Sequence, residues 1–208
     1  FSFYPVKHIT TGEGGMLISK SVKIAKAISS FRAFNVDREH AQRKVPGLYD
    51  VLGVGLNYRM SELQAALGCT QIDKIKKILA TRAKNFSVLK SILLDEKDIS
   101  ILDSNNKNAI NSHYCMVIIL KGALASKRNE IVLDLKKHGV GCSIYYPNPV
   151  PRMSYYRKKY QINIKDFVNS SIISDHSIAL PVGPHLQKKH MEKIAELLKN
   201  VVRKVGNG

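Results

Sequence analysis

The stretch FSFYPVKHITTGEGGM, residues 1–16, decides how the rest of the chain is read. It places one lysine, Lys7, in a turn-like segment and follows it closely with Gly12, Gly14 and Gly15. Glycine supplies positive φ and lets another backbone or a ligand approach closely, but tight turns use it with no ligand at all. GEGG alone therefore favours a turn over a phosphate site. A lysine in such a turn is either a solvated charge or an amine that traps an electrophile, and the second possibility sets what the downstream sequence is searched for. The chain opens inside this pattern, with no initiator Met or targeting segment before it, so the protein is expected to continue upstream.

Composition narrows the classes. With 208 residues, 44% of them apolar, the chain has material for one large or two small folded domains. Its longest apolar runs, such as Cys115 to Leu120, fall far short of the roughly 20 residues a bilayer demands, so no membrane partner is expected. Cys69, Cys115 and Cys142 are odd in number and lack CxxC spacing, which fits a reducing cytoplasm with each thiol a small core residue. None of the seven histidines forms an HxxxH or HExxH arrangement, and no metal is expected. The net charge of +17 favours an anionic partner: nucleic acid, a phosphorylated substrate or a membrane surface. Its cations are scattered over helix faces, as in DKIKK and HLQKKHMEKI, so a solvated basic surface is the plainer reading and nucleic acid is not expected.

Periodicity gives an outline. GGMLIS reads as a short buried strand and KIAKAISSFRAF as a helix. Asn35 to Leu56, punctuated by Pro46, Gly47, Gly53 and Gly55, reads as an extended loop. Ser61 followed by Glu62, Leu63 and Gln64 has the form of a capping box, so a helix should begin there. Apolar positions from Leu63 to Leu93 recur at steps of three and four, a helix long enough to join two domains. DSNNKN marks a turn, and HYCMVIIL a strand apolar on both faces, as in a covered sheet. SKRNEIVLDLKKHG reads as a helix with Gly139 at C′, VGCSIYY as a strand, and Pro147 to Tyr160 as an ordered loop. SIALP is a further strand, and Met191, Ile194, Leu198, Val201 and Val205 form the packing stripe of a last helix. The succession after residue 110 predicts a compact α/β unit with helices against one sheet.

Taken together, FSFYPVK, TTGEGGM, GLNYRMSELQAALG, GVGCSIYYPNP and SIALPVGPHL resemble, in order and spacing, the C-terminal half of the pyridoxal-phosphate-dependent sugar aminotransferases of the DegT/DnrJ/EryC1/StrS family. The resemblance covers essentially the whole chain. It implies an α/β fold of the aspartate-aminotransferase superfamily (fold type I), with residues 1–60 the tail of the large cofactor domain and 61–208 the connecting helix and small C-terminal domain. It implies pyridoxal phosphate as cofactor and a nucleotide-linked keto sugar as substrate, with an amino-acid donor, glutamate. Such amino sugars feed polysaccharide biosynthesis.

By the same resemblance, Lys7 forms the Schiff base with the cofactor and Ser2 donates to its phosphate. The chemistry is coherent: an amine must be neutral part of the time to attack an aldehyde, and a hydroxyl donates without adding charge. Asn57 matches the family residue that reaches the cofactor phosphate of a neighbouring subunit, implying a homodimer with shared active sites. Arg59, two residues on, points to the same side of an extended segment and suits a substrate phosphate or carboxylate. Tyr145 and Tyr146 occupy a family position where His commonly precedes an aromatic; substrate contact and packing in a strand both fit them. A related branch carries His in place of the lysine and is a dehydratase; this chain keeps Lys7, so transamination is favoured and His8 is read as a loop residue.

The family's N-terminal half supplies an acidic partner for the pyridine nitrogen, a group that stacks on the ring and a helix N-terminus for phosphate. No segment of this chain matches those, so it is expected to be inactive alone. Two other readings stay open: a sugar dehydratase on the same scaffold, and a basic nucleic-acid-binding fragment without catalysis.

Overall fold

The computed structural model describes residues 1–37, 41, 44–104, 106 and 108–206. The chain divides into two units, Phe1–Ile75 and Lys76–Gly208. In the first, Ser21 accepts from the Ile24 N–H at 3.4 Å and starts helix α1, Val22–Phe31. The sequence pattern ran on to Phe34, but Phe34 and Asn35 sit at φ of 68° and 54°, where no right-handed helix continues. GGMLIS does not form a strand. It pairs through a single bridge, Ser2 with Gly15, flanked by the Phe3 N–H on the Gly14 carbonyl at 2.9 Å and the Met16 N–H on the Phe1 carbonyl at 3.0 Å.

The expected loop from Asn35 to Leu56 is tied at its ends by a Val36–Val51 bridge and the Leu52 N–H on the Asn35 carbonyl at 3.0 Å. Residues 38–40, 42 and 43 of that loop lie outside the described residues. Ser61 caps helix α2, Glu62–Ile72, through a complete capping box with Gln64. The expected single long helix is two. Asp73 closes α2 and helix α3 runs Ile75–Leu93, so the apolar period continues across a break in the backbone. Neither α1 nor α2 buries a residue.

The second unit holds the core. Strands β1 (Ile99–Leu102), β2 (Met116–Leu120) and β3 (Ser177–Leu180) make an antiparallel sheet in that order, with Ile101 opposite Ile118 and Ile118 opposite Ile178. β2 alternates: Met116, Ile118 and Leu120 are buried, Val117 and Ile119 half-buried, so one face is closed more fully than a doubly covered sheet requires. β2 starts three residues later than its apolar run because His113 lies at φ 47°. Residues 105 and 107 of the preceding turn lie outside the described residues.

Helix α4, Arg128–Lys137, follows a 3-10 turn, and its end is a Schellman motif. The Gly139 N–H reaches the Lys136 carbonyl, the Val140 N–H reaches Leu135, and Gly139 takes φ 80°. VGCSIYY does not extend into a strand. The Cys142 N–H turns back onto the Val140 carbonyl at 2.8 Å, and only Ser143 then pairs with Ala179. Pro147 to Tyr160 is more regular than a loop: a 3-10 turn at Val150–Arg152 leads into helix α5, Ser154–Tyr160. Helix α6, Val168–His176, and β1 were not legible; both are short and lack a clean period.

Helix α7, Lys188–Gly206, buries Met191, Ile194, Ala195, Leu198, Val201, Val202 and Val205. These join Leu89 and Leu93 of α3, the inner face of β2, and Ile131 and Leu135 of α4 in one apolar cluster. Each fully buried Leu or Ile contributes about 1.5–3 kcal/mol. One buried polar group organises the junction after β3: the Asn85 amide nitrogen donates to the carbonyls of Gly183 at 3.0 Å and Leu186 at 3.1 Å, with Val182 at 3.5 Å. The three cysteines form no disulfide; Cys142 is buried, but Cys69 is exposed, against the expectation of three core thiols, because α2 has no buried side.

Candidate functional site

The loop carrying Lys7 is closed on itself. Phe3, the anchor, is buried with Thr11; the Phe3 N–H donates to the Gly14 carbonyl at 2.9 Å and the Thr11 N–H to Phe3 at 3.0 Å. Thr10 Oγ1 donates to the same Phe3 carbonyl at 2.9 Å, and Thr11 Oγ1 to Glu13 at 2.6 Å. Gly14, at φ 149°, lies against Thr11 so closely that a Cβ would strike its hydroxyl. A Cβ on Gly15 would stand 2.9 Å from the Phe1 carbonyl oxygen. The glycines are thus accounted for by this closure.

Lys7 projects from the turn made by the Lys7 N–H on the Tyr4 carbonyl at 3.0 Å, with Pro5 between, and is half-buried. Ser2 stands on the same loop, bridged to Gly15; its hydroxyl oxygen accepts from the Tyr4 N–H at 3.4 Å, which leaves its proton to donate outward. The loop is latched to α2, because Gln64 Nε2 donates to the Glu13 carbonyl at 2.8 Å.

Asn57 is bridged to Ala33, and the Tyr58 N–H donates to Arg32 at 2.8 Å, which holds GLNYR extended beside the end of α1. Arg59 Nε donates to Asn57 Oδ1 at 3.1 Å, while its guanidinium lies 4.9 Å from the Phe34 ring centroid. The expected same-side placement is therefore realised as a contact. It also orients the amide: with Oδ1 taken by Arg59, the Asn57 NH2 is presented as a donor. Gly55 is needed here, since a Cβ would fall on the Phe34 backbone.

Tyr145 and Tyr146 belong to the second unit. Their rings lie 5.7 Å apart, and Tyr145 is 5.9 Å from Tyr114. Tyr146 is exposed and Tyr145 partly so; the peptide between them is cis. Neither is packed within a strand. Burial, with the hydrogen bond to Tyr145 next, pushes the Tyr114 phenol up to about 12. Behind it, Arg82 Nη1 donates to the Tyr114 carbonyl at 2.7 Å. Burial lowers the Arg82 guanidinium, and its Nε has no hydrogen-bond partner among the described residues. Sequence reasoning missed Tyr114 and Arg82. Tyr114 was absorbed into a strand, and Arg82 sits in an apolar helical period where a cation reads as solvated.

The residues brought together are Ser2 with Lys7 on one loop, Asn57 with Arg59, and Tyr145 with Tyr146 and Tyr114. In the first unit these are all donors: an amine, a hydroxyl, an amide NH2 and a guanidinium. An amine can capture a carbonyl, and a hydroxyl, an amide NH2 and a guanidinium can each donate to a phosphate or carboxylate. Among the described residues no group of His, Cys, Asp and Glu is placed to hold a metal ion. No helix among them is long and apolar enough to cross a membrane.

The model of the DegT/DnrJ/EryC1/StrS aminotransferase family matches residues 1–199. The chain belongs to that family. It is similar to the dTDP-4-dehydro-2,6-dideoxy-D-glucose 3-dehydratase of Saccharopolyspora spinosa, with 25% identity over 98% of this chain and 48% of that protein. Among solved structures, Helicobacter pylori PseC, an aminotransferase involved in the biosynthesis of pseudoaminic acid, superposes with TM-score 0.86. The identity is 21%, over 97% of this chain and 52% of that one. The putative sugar aminotransferase Spr1654 from Streptococcus pneumoniae, in its PMP form, gives TM-score 0.85 at 22% identity, over 99% and 53%. The expected α/β fold type I architecture is therefore present, and the chain spans about half the length of the curated relatives it matches.

Proposed function

We propose that the protein containing this chain is a pyridoxal-phosphate-dependent aminotransferase that moves an amino group, from glutamate, to a keto group of a nucleotide-linked sugar. The observation that carries the reading is the donor set of the first unit: Lys7 on a closed loop with Ser2, and Asn57 oriented by Arg59. Bound pyridoxal phosphate supplies a carbonyl for amine exchange and an electron sink. Lys7 would hold the cofactor through its amine and, with that amine free, would move a proton at the substrate carbon. Ser2 and Asn57 donate to the phosphate, the second across a two-fold axis in a homodimer. Arg59, besides fixing Asn57, presents its remaining guanidinium N–H groups to a substrate anion.

Tyr145 and Tyr146 are the residues of the second unit proposed to contact the sugar substrate.

The test is product analysis with the complete protein, pyridoxal phosphate, glutamate and a nucleotide-linked keto sugar. Oxoglutarate formed in proportion to amino sugar is the expected result. Loss of water from the sugar without oxoglutarate would instead identify the dehydratase chemistry named for the Saccharopolyspora relative.

A further inference from the structure

Helix α5, Ser154–Tyr160, packs three tyrosines and three cations into seven residues and takes no part in the site above. Tyr155, Tyr156 and Tyr160 are 64%, 41% and 61% exposed. Contiguous exposed aromatic surface marks an interaction site, because a soluble fold gains nothing by leaving it in water. The rings are also ordered. Tyr156 and Tyr160, one turn apart, lie within 10° of parallel with centroids 6.4 Å apart, and Tyr155 stands edge-on to Tyr156 at 5.2 Å. Lys159 Nζ sits 5.4 Å from the Tyr155 and Tyr160 centroids and donates to the Tyr155 hydroxyl at 3.1 Å.

The helix is fixed at both ends. Arg152, just before it, makes a two-pronged pair with Asp175 at 2.6 and 2.9 Å, and Gln161 closes it in the left-handed conformation. Among the described residues, none of Arg157, Lys158 and Lys159 forms an ion pair with a carboxylate. Aromatic faces with uncompensated positive charge beside them match a ligand that has a flat ring and a nearby anion.

We propose that this face of α5 binds a nucleoside diphosphate, with the base against the Tyr156 and Tyr160 rings and the diphosphate at Lys159, in the field of Arg157 and Lys158. Size favours a single nucleotide. Seven residues at about 1.5 Å rise give roughly 10 Å, the length of one base with its phosphates. A single-stranded nucleic acid needs a groove for about four nucleotides or more. The reading of the protein as a nucleotide-sugar enzyme supplies the ligand class, and the proposal rests on that reading for the ligand's identity.

The experiment titrates the complete protein with uridine and thymidine diphosphates, and separately with pyrophosphate, by calorimetry. Tyr156→Ala and Tyr160→Ala should each weaken nucleotide binding roughly tenfold or more, the scale of one lost base stack, and leave pyrophosphate binding alone. Tyr156→Phe should retain binding, and Lys159→Ala should weaken both ligands. In turnover, Tyr156→Ala should raise KM for the nucleotide-linked sugar with kcat kept. Nucleotide affinity unchanged within twofold in Tyr160→Ala and Lys159→Ala overturns the proposal. So does tighter binding of a single-stranded oligonucleotide than of the mononucleotide, with a steep salt dependence. The absorbance change of bound cofactor on adding glutamate to the unsubstituted protein reads the aminotransferase proposal by itself. Nucleotide binding at α5 without that change, or the change without binding, therefore shows which of the two has failed.

Discussion

Asn85 offers the sharpest test of how the second unit is held. Its amide has two protons, and the Gly183 and Leu186 carbonyls at 3.0 and 3.1 Å take them, with Val182 at the outer limit. Asn85→Ala removes one buried and one part-buried hydrogen bond, worth about 1 kcal/mol each. The Gly183 carbonyl keeps the Leu186 N–H at 3.1 Å, so the further penalty, about 1–2 kcal/mol, falls on the Leu186 carbonyl left bare. The expected loss is roughly 3–4 kcal/mol in urea unfolding followed by far-UV circular dichroism. Asn85→Asp gives the sign. An ionised carboxylate facing carbonyl oxygens is an acceptor among acceptors, so its folded pKa rises above its unfolded value. The penalty is present in full above the folded pKa and disappears below the unfolded one, near 4, so this variant should gain stability as pH falls from 8 to 5 while Asn85→Ala does not. A loss under about 1 kcal/mol for Asn85→Ala, or an Asn85→Asp variant that tracks the unsubstituted protein with pH, would refute the reasoning.

Lys7→Ala in the complete protein should abolish the visible absorbance of covalently held pyridoxal phosphate; a band that survives sinks the assignment of Lys7. Leu89→Ala, at a fully buried position, should cost about 2–5 kcal/mol in the same urea assay, and a change under 1 would mean that α3 is not part of the core as described. The Lys90 hydrogen bond holds the Asp103 carboxyl below its ordinary value, and Arg152 does the same to Asp175. Both pairs stabilise above the unfolded carboxylate pKa near 4, and that contribution is lost as pH falls through the depressed folded values. Asp103→Asn should therefore flatten the acid limb of stability below pH 4; an unchanged limb would show that the pair is silent.

What was legible in the sequence was whatever rests on local chemistry. The capping box at Ser61, the Schellman glycine at Gly139 and the α7 stripe each follow from side chains within a few residues of one another. The pairing of Asn57 with Arg59 is of the same kind. The failures share a different cause. GGMLIS and VGCSIYY have strand composition, yet a strand needs a partner edge, and both segments find one for a single residue. Helix α1 ends at Phe31, short of a left-handed pair at Phe34 and Asn35 that composition does not encode. Tyr114 and Arg82 join the tyrosine cluster through contacts across 31 or more positions of chain, beyond any window of periodicity.

Gln64 shows what a latch made from one side chain implies for altering this protein. Its Oε1 accepts from the Ser61 N–H at 3.0 Å while Nε2 donates to the Glu13 carbonyl at 2.8 Å. Glutamate is the other residue that completes a capping box, and as a substitution for helix stability alone Gln64→Glu would look harmless. Here it would put a carboxylate oxygen against the Glu13 carbonyl and release the loop that bears Lys7. The choice of amide over acid at position 64 is thus a constraint imposed by the loop upon the helix, and any effort to make α2 more robust has to leave that nitrogen in place.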